Sequence, residues 1–374
     1  MTSERIPLFG MYWDERDVDS VTRVIRKGSY WATGPEIREF EERIAAYIGR
    51  KYCVAFNSGT SALHSCLMAH GICSGQVIVP SFSFISTATS VLLSGATPVF
   101  ADIESDSFGL DPDDVAKRIS QETKAIIPVH YAGQPMRRMD ELLELAADHD
   151  ILVIEDAAES FGSMRGGMMV GTRGDSSIFS FCQNKVITTG EGGMAATDQK
   201  KIYERLKLIG SHGRIADGQA PGQSADHILL GYNYRMPTMS AALGLSQLEK
   251  ISDMIMMRRK LAGLYRQALD GIDDIILPYE AEGDRHVYQL FTIRVPKEKR
   301  EGLRKHLEGC GISTGVYFRP IHLTSLFRQK YGCKEGDLPV TERISDEVLS
   351  IPIYPGLKEE QIVRIAARVG DHLR

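Results

Sequence analysis

The chain has 374 residues, 43% hydrophobic and 25% charged, with a formal net charge of −5. That balance is ordinary for a globular enzyme, and the length suits one large and one small domain. It carries no basic tail, no Lys/Arg run interleaved with aromatics and no apolar run near the roughly 18 residues that span a bilayer, so neither nucleic acid nor membrane is an expected partner.

In chain order, Asp14 to Lys27 and Glu36 to Tyr47 read as amphipathic helices around a loop from Gly28 to Pro35. From residue 52 onward short apolar runs alternate with helical patterns. Strands are predicted at 52–56, 76–80, 97–103, 124–129, 151–155, 176–182 and 193–197. Helices are predicted at 60–71, 84–94, 111–120, 138–149 and 199–211. Such alternation predicts an α/β fold, a mainly parallel mixed sheet flanked by helices on both faces. Residues 213–236 are Gly-rich and polar and read as a long loop. Met239 to Leu269 shows one helical pattern with no proline. Beyond it, strands near 287–295 and 313–318 and helices near 299–309, 344–349 and 359–370 predict a smaller α+β domain. The expected division is 1–250 for the large domain and 251–374 for the small one, joined by the helix at 239–269.

The six cysteines show no CxxC spacing, and the ten histidines form no HExxH pattern. No metal site is therefore expected. Cysteines in apolar segments behave as small reduced hydrophobes. With no apolar signal region at the N-terminus, the expected location is cytoplasmic.

Chemistry centres on Lys185. The run Ser176 to Phe181 is β-branched and aromatic, and a lysine follows it, ahead of the Gly-rich segment Thr188 to Gly193. A strand-end lysine usually reaches water. One held in a dry site has a lowered pKa and forms a Schiff base with an aldehyde, which makes Lys185 the candidate for a lysine carrying pyridoxal phosphate. Three upstream groups supply what that cofactor needs. Asp156 ends the apolar run Ile151 to Ile154, where a fixed anion keeps a pyridine nitrogen protonated. Asn57 to Ser61 lies between a strand and a helix N-terminus, an anion site in which Gly59 permits close approach and Thr60 and Ser61 add hydroxyls. Ser180 offers one more hydroxyl. After the strand Val77 to Pro80, Phe84 offers a stacking face for the ring.

The order of these groups resembles the fold-type I pyridoxal phosphate enzymes, and the detailed strings resemble the DegT/DnrJ/StrS sugar aminotransferases. The matching strings are Gly34-Pro35, Asn57 to Leu63, Val79 to Phe84, Glu155 to Ser160, Ser180-Phe181 with Asn184-Lys185, Thr188 to Gly193, and Gly231 to Met236. They run from about Gly28 to the last helix. The resemblance implies a fold-type I PLP-dependent transferase. It implies Gly59, Thr60, Ser61 and Ser180 at the cofactor phosphate, Phe84 on the ring, and Asn233 reaching the cofactor of the partner subunit in a homodimer with shared active sites. Lys185 and Asp156 are the catalytic pair. Lys185 stands where the family's dehydratases carry histidine, which favours transamination. Glu159 stands where many relatives carry glutamine or histidine, and is assigned to the cofactor's 3-hydroxyl region or the incoming sugar. His322 resembles a substrate-side histidine, with a plain loop histidine as the alternative, and Tyr317 and Arg319 are assigned to a nucleotide phosphate.

The implied reaction moves an amino group from an amino-acid donor, L-glutamate by resemblance, to a nucleotide-linked keto sugar. The run after Lys185 is similar to that of perosamine-type members, which points to C4 of a 4-keto-6-deoxyhexose. A 3-keto sugar or a keto-cyclitol is the nearest alternative. A non-catalytic regulator that senses cofactor or sugar is the alternative of a different class.

Overall fold

A computed structural model describes residues 5–215 and 226–373. Two helices open it, α1 (Glu15–Lys27) and α2 (Pro35–Ile48). Asp14 caps α1 in a reciprocal box with Asp17, and Gly28 ends it in the left-handed region, where a residue without Cβ sits unstrained.

The alternation that follows is β1 (Tyr52–Phe56), α3 (Gly59–Ala69), β2 (Gln76–Pro80), α4 (Ser86–Ser94), β3 (Thr97–Ala101), α5 (Pro112–Arg118), β4 (Thr123–Ile126), α6 (Met139–Asp148) and β5 (Leu152–Asp156). A small hairpin, β6 (Met164–Arg165) and β7 (Met168–Met169), precedes β8 (Ser176–Ser180), β9 (Gly193–Thr197) and α7 (Lys200–Gly210). The seven long strands form one sheet in the order β1-β9-β8-β5-β4-β2-β3. Strand β9 runs antiparallel to β1 and β8, and the remaining pairs are parallel. The carboxyl ends of β1, β8, β5 and β2 therefore open on the same edge, where ligands of such sheets sit.

Helices cover both faces, which is why the strands are apolar along their length. Successive residues of a strand point to opposite faces. Ile178 accordingly packs with Phe56, Leu63, Val79 and Leu206, while its neighbour Phe179 packs with Phe40, Ile44, Phe161 and Met194. The sheet matches the seven strands read from the sequence to within a few residues at each end.

The second part of the chain holds α8 (Thr238–Glu249), α9 (Ile251–Ala268), β10 (Phe291–Arg294), α10 (Lys297–Gly309), α11 (Ser325–Tyr331), α12 (Pro339–Glu347), β11 (Val348–Ile351) and α13 (Glu359–Leu373). A separate apolar cluster joins Leu261, Tyr265, Phe291, Leu303, Leu349 and Ile365. Ile6, far away in sequence, belongs to this cluster and bridges to Ile312.

Several expectations are corrected here. The single helix expected over 239–269 is two helices that part at Lys250, whose backbone leaves helical geometry at φ −105° and ψ 0°. No proline or glycine marks the break. The Lys250 ammonium is buried against Asp14 and Asp17 at the start of α1, so a tertiary ion pair sits at the junction. The strand expected over 313–318 reduces to one bridge between Gly315 and Ser350, because Tyr317 and Phe318 join an aromatic cluster around Phe82 and Tyr131. The helix expected over 344–349 ends at Glu347, and Val348 begins a buried strand paired with β10. Helix α11 was not foreseen. Part of the expected loop, residues 216–225, lies outside the described residues. Among the described residues no helix is long and apolar enough to cross a membrane.

Candidate active site

The strand ends meet at a cavity of about 350 Å³. Its wall includes Gly59, Thr60, Phe84, Asp156, Glu159, Ser180, Lys185 and Tyr317, eight of the residues singled out from the sequence.

One end of the cavity is an anion cup. Helix α3 follows β1 after two residues, and Ser58 caps it, accepting the Ser61 N–H at 3.1 Å. The N–H groups of Gly59 and Thr60 belong to the first turn and have no intrahelical acceptor. Both residues line the cavity, at the positive end of the helix dipole. A Cβ built on Gly59 would lie 3.1 Å from the Ser180 Cβ, so a side chain there would fill the cup. Ser61 lies to one side of the cup. Its hydroxyl lies 2.9 Å from that of Ser58, inside the cap, and it is buried off the cavity wall. Ser58 lines the wall instead.

The floor carries the charges. At the end of β5, adjacent carboxylates point to opposite faces. Glu155 accepts from the His130 Nε2 at 3.0 Å and from the N–H groups of Gly171, Arg173 and Gly174. Burial opposes its charge, but those donors hold its carboxyl down at about 2. Glu155 thus ties the sheet to the loop before β8. Asp156 faces the cavity, 4% exposed. Its Oδ2 accepts the Thr87 hydroxyl at 2.8 Å and its Oδ1 the Ala158 N–H at 3.2 Å. Burial pushes its carboxyl up, and the Thr87 and Ala158 bonds and the Lys185 cation pull against that.

Strand β8 ends at Ser180, and a turn closed by the Lys185 N–H on the Cys182 carbonyl, 3.0 Å, brings the lysine over the floor. The Gln289 amide donates to the Asn184 carbonyl and fixes that turn from the far half of the chain. The Lys185 Nζ lies 3.4 Å from the Glu159 Oε1. The other oxygen of Glu159 accepts the Ala132 N–H at 2.9 Å, which sets the carboxylate in place.

At the rim, Phe84 is 59% exposed, with its ring 6.4 Å from that of Phe318. Tyr317 lines the wall, held by the Tyr131 hydroxyl on its carbonyl. Cys182 and Glu191 face each other across 3.6 Å on the other side.

The structure leaves three more predicted residues off the wall. His322 is fully buried, with Nδ1 2.7 Å from the Ser81 hydroxyl and Nε2 3.2 Å from Glu342. Both ring nitrogens are engaged within the protein, as in a packed histidine. Arg319 is exposed and outside the wall. Asn233 is exposed on the loop before α8, and its carbonyl accepts the Asn57 amide at 3.5 Å, next to the anion cup. Sequence reasoning missed Ser58, Ser83, Glu191 and Phe318 on the wall and Thr87 behind it. Ser83 stood in the segment quoted for its aromatics, and Thr87 lies one helical turn beyond Phe84, which was the available signal.

The arrangement fits pyridoxal phosphate. An anion cup without side-chain obstruction, a buried carboxylate, a lysine and an open aromatic face surround one cavity of suitable size. The described residues contain no group of three or more His, Cys, Asp or Glu placed to hold a metal ion.

The comparisons with known proteins agree with the site. The family model for DegT/DnrJ/EryC1/StrS aminotransferases matches residues 12–370. A GDP-perosamine synthase of Caulobacter vibrioides is 38% identical over 341 residues, 90% of each chain. Helicobacter pylori PseC, an aminotransferase involved in pseudoaminic acid biosynthesis, superposes with a TM-score of 0.93 at 27% identity over 99% of each chain. S. venezuelae DesV superposes with a TM-score of 0.88 at 35% identity, covering 96% of this chain and 94% of its own. With fold, site and relatives in agreement, the chain belongs to the DegT/DnrJ/EryC1/StrS aminotransferase family and is a pyridoxal phosphate-dependent aminotransferase.

Proposed function

We propose that this enzyme transfers an amino group from an amino acid, with L-glutamate the expected donor, to C4 of a nucleotide-linked 4-keto-6-deoxyhexose. The carrying observation is the grouping of Lys185, Asp156 and the Gly59–Ser180 cup on one cavity. The identity to a GDP-perosamine synthase supports the sugar class.

Pyridoxal phosphate, when bound, withdraws electrons from the substrate carbon and stores the amino group between the two half-reactions. The protein's part is positioning and proton transfer. Gly59, Thr60 and Ser180 would hold the phosphate, and Phe84 would stack on the ring. Asp156 keeps a proton on the ring nitrogen. Lys185, on the wall of the same cavity, would be the base that moves the proton from the donor carbon. Glu159 orients the lysine through its 3.4 Å contact. Tyr317 meets the sugar nucleotide at the wall, and exposed Arg319 receives its phosphates.

Asn233 reaches the partner subunit's cofactor in a homodimer. The exposed Ile228 and Leu230 on its loop support this, as apolar surface that a second copy would cover. A large cofactor-binding domain to about residue 250 and a smaller one beyond it are supported by the apolar cluster built, apart from Ile6, on residues after 260. Six free cysteines support a cytoplasmic setting.

The test uses the enzyme loaded with pyridoxamine phosphate and a panel of nucleotide-linked 4-keto and 3-keto sugars and keto-cyclitols. Return of the cofactor's visible absorption with a 4-keto sugar supports the proposal. Return only with a 3-keto sugar or a cyclitol overturns the C4 assignment. No return with any ketone, in a protein that binds cofactor, overturns the sugar aminotransferase reading in favour of a sensor.

A further inference from the structure

We propose that Thr87 is a positioning residue, the inner link of a hydroxyl relay that runs Ser83 to Thr87 to Asp156 and fixes the carboxylate at the cofactor's ring nitrogen. The inference rests on the assignment of Asp156 to that nitrogen.

Proton counting sets the direction of the relay. Thr87 has one hydroxyl proton, and it goes to the Asp156 Oδ2 at 2.8 Å. The 2.7 Å contact between the Ser83 and Thr87 oxygens must then be a bond that Ser83 donates. A hydroxyl that accepts one bond while donating another to a carboxylate is a stronger donor. Thr87 is fully buried, and Asp156 and Ser83 are each 4% exposed, so water does not compete for these bonds. Thr87 is also the second residue of α4, so its contact places the carboxylate near the N-terminal, positive end of that helix.

The relay does two things. It holds one carboxylate oxygen while the Ala158 N–H holds the other, which fixes the plane of the group and the direction of its free lone pairs. It also favours the charged form at a position where burial opposes charge. The other charges facing Asp156 are the Lys185 cation, which helps, and the Glu159 carboxylate, which hinders. Without the Thr87 hydroxyl the carboxyl binds its proton more tightly, and the ring nitrogen loses its fixed anion as pH falls. Ser83 lines the cavity and Thr87 does not, so the relay carries a contact at the wall back to the floor.

The experiment compares T87V, T87S and D156N with the wild type in two measurements. One is the pyridoxal phosphate dissociation constant from fluorescence titration of apoenzyme. The other is the pH profile of the half-reaction with an amino-acid donor, followed in the cofactor's absorption. T87V is expected to bind cofactor about tenfold more weakly, the usual worth of one hydrogen bond to a charged group. The acid limb of its profile should move up by about one pH unit, while T87S stays near the wild type. If D156N loses both properties and T87V matches the wild type in both, the relay is wrong and the Asp156 assignment stands. If D156N matches the wild type, the Asp156 assignment itself falls. Should T87V fail to fold, S83A carries the test. An acid limb moved the same way supports the relay, and an unmoved one overturns it.

Discussion

Gly193 is the residue whose replacement tests the anion cup most directly. It opens β9 and pairs with Phe56 on one side and Ser180 on the other, so it separates the two strand ends that form the cup. A Cβ placed on it would lie 2.3 Å from the Ser58 carbonyl oxygen and 2.6 Å from the Gly59 nitrogen, both backbone atoms that no rotamer change can move. Relief to ordinary contact at 3.4 Å or more requires the Ser58–Gly59 turn to retreat by about 1 Å. Overpacking of this kind costs about 1–3 kcal/mol of stability. A 1 Å misplacement in a site costs up to about 10²-fold in function. Gly193→Ala should therefore lower stability modestly and weaken cofactor binding at least about tenfold, because the displaced N–H groups are those aimed at the phosphate. Fluorescence titration with pyridoxal phosphate, beside a urea melt of the apoenzyme, reads both effects. A folded Gly193→Ala protein with wild-type cofactor affinity would refute the cup as built here.

Three further outcomes are expected. Borohydride reduction should fix the cofactor to the wild type at the peptide containing Lys185 and leave Lys185→Ala unlabelled, with turnover down by about 10²–10⁴-fold; mass spectrometry of the digest decides it, and a label elsewhere sinks the assignment. Burial pushes the Glu41 carboxyl up to about 7, so across the window from about 4.5 to 7 the folded chain keeps a proton that the unfolded chain has released, and stability falls as pH rises, by at most about 3 kcal/mol. Glu41→Gln keeps an acceptor for the Ala55 N–H and should flatten that slope in urea melts at pH 5 and 8; equal slopes in both proteins would count against it. Mixing inactive Lys185→Ala with Asn233→Ala should restore activity in hybrid dimers, which then hold one site with both native residues; no recovery above the Asn233→Ala level would place Asn233 at its own subunit's cofactor or at none.

What the sequence showed well is what local chemistry determines. The β-branched runs and the small-residue turn after β1 are short-range signals, and the sheet and the helix cap followed from them. Asp156, Lys185, Gly59 and Ser180 were legible because each ends or follows a strand and the strand ends share one edge. The failures came from contacts that are long-range in sequence. Nothing near Lys250 announces that Asp14 and Asp17, more than 230 residues away, receive its ammonium and sit where the helix breaks. His322 was assigned to the substrate by family resemblance, and its burial against Ser81, 241 residues earlier, is invisible locally. Ser61 is the opposite case. Its hydroxyl has a local partner in Ser58, and a cap and an anion ligand look alike in sequence.

The same distinction explains how the lysine is held. Lys185 stands five residues beyond the end of its strand, in a turn with no ladder to support it. One tie comes from within the turn, the bond to the Cys182 carbonyl. The other comes from Gln289, 1% exposed, whose amide reaches the Asn184 carbonyl from the second half of the chain. A second cross-tie follows the same rule, since Tyr131 donates its hydroxyl to the Tyr317 carbonyl while also touching Thr292. In both ties the acceptor is a backbone carbonyl, which any residue supplies, so the accepting position carries no sequence signature. Only the donors could be recognised, and a buried glutamine or tyrosine is indistinguishable from packing until the fold is known. The placement of the reactive amine is thus shared between two halves of the chain, whose side chains also mix in the apolar clusters on the sheet.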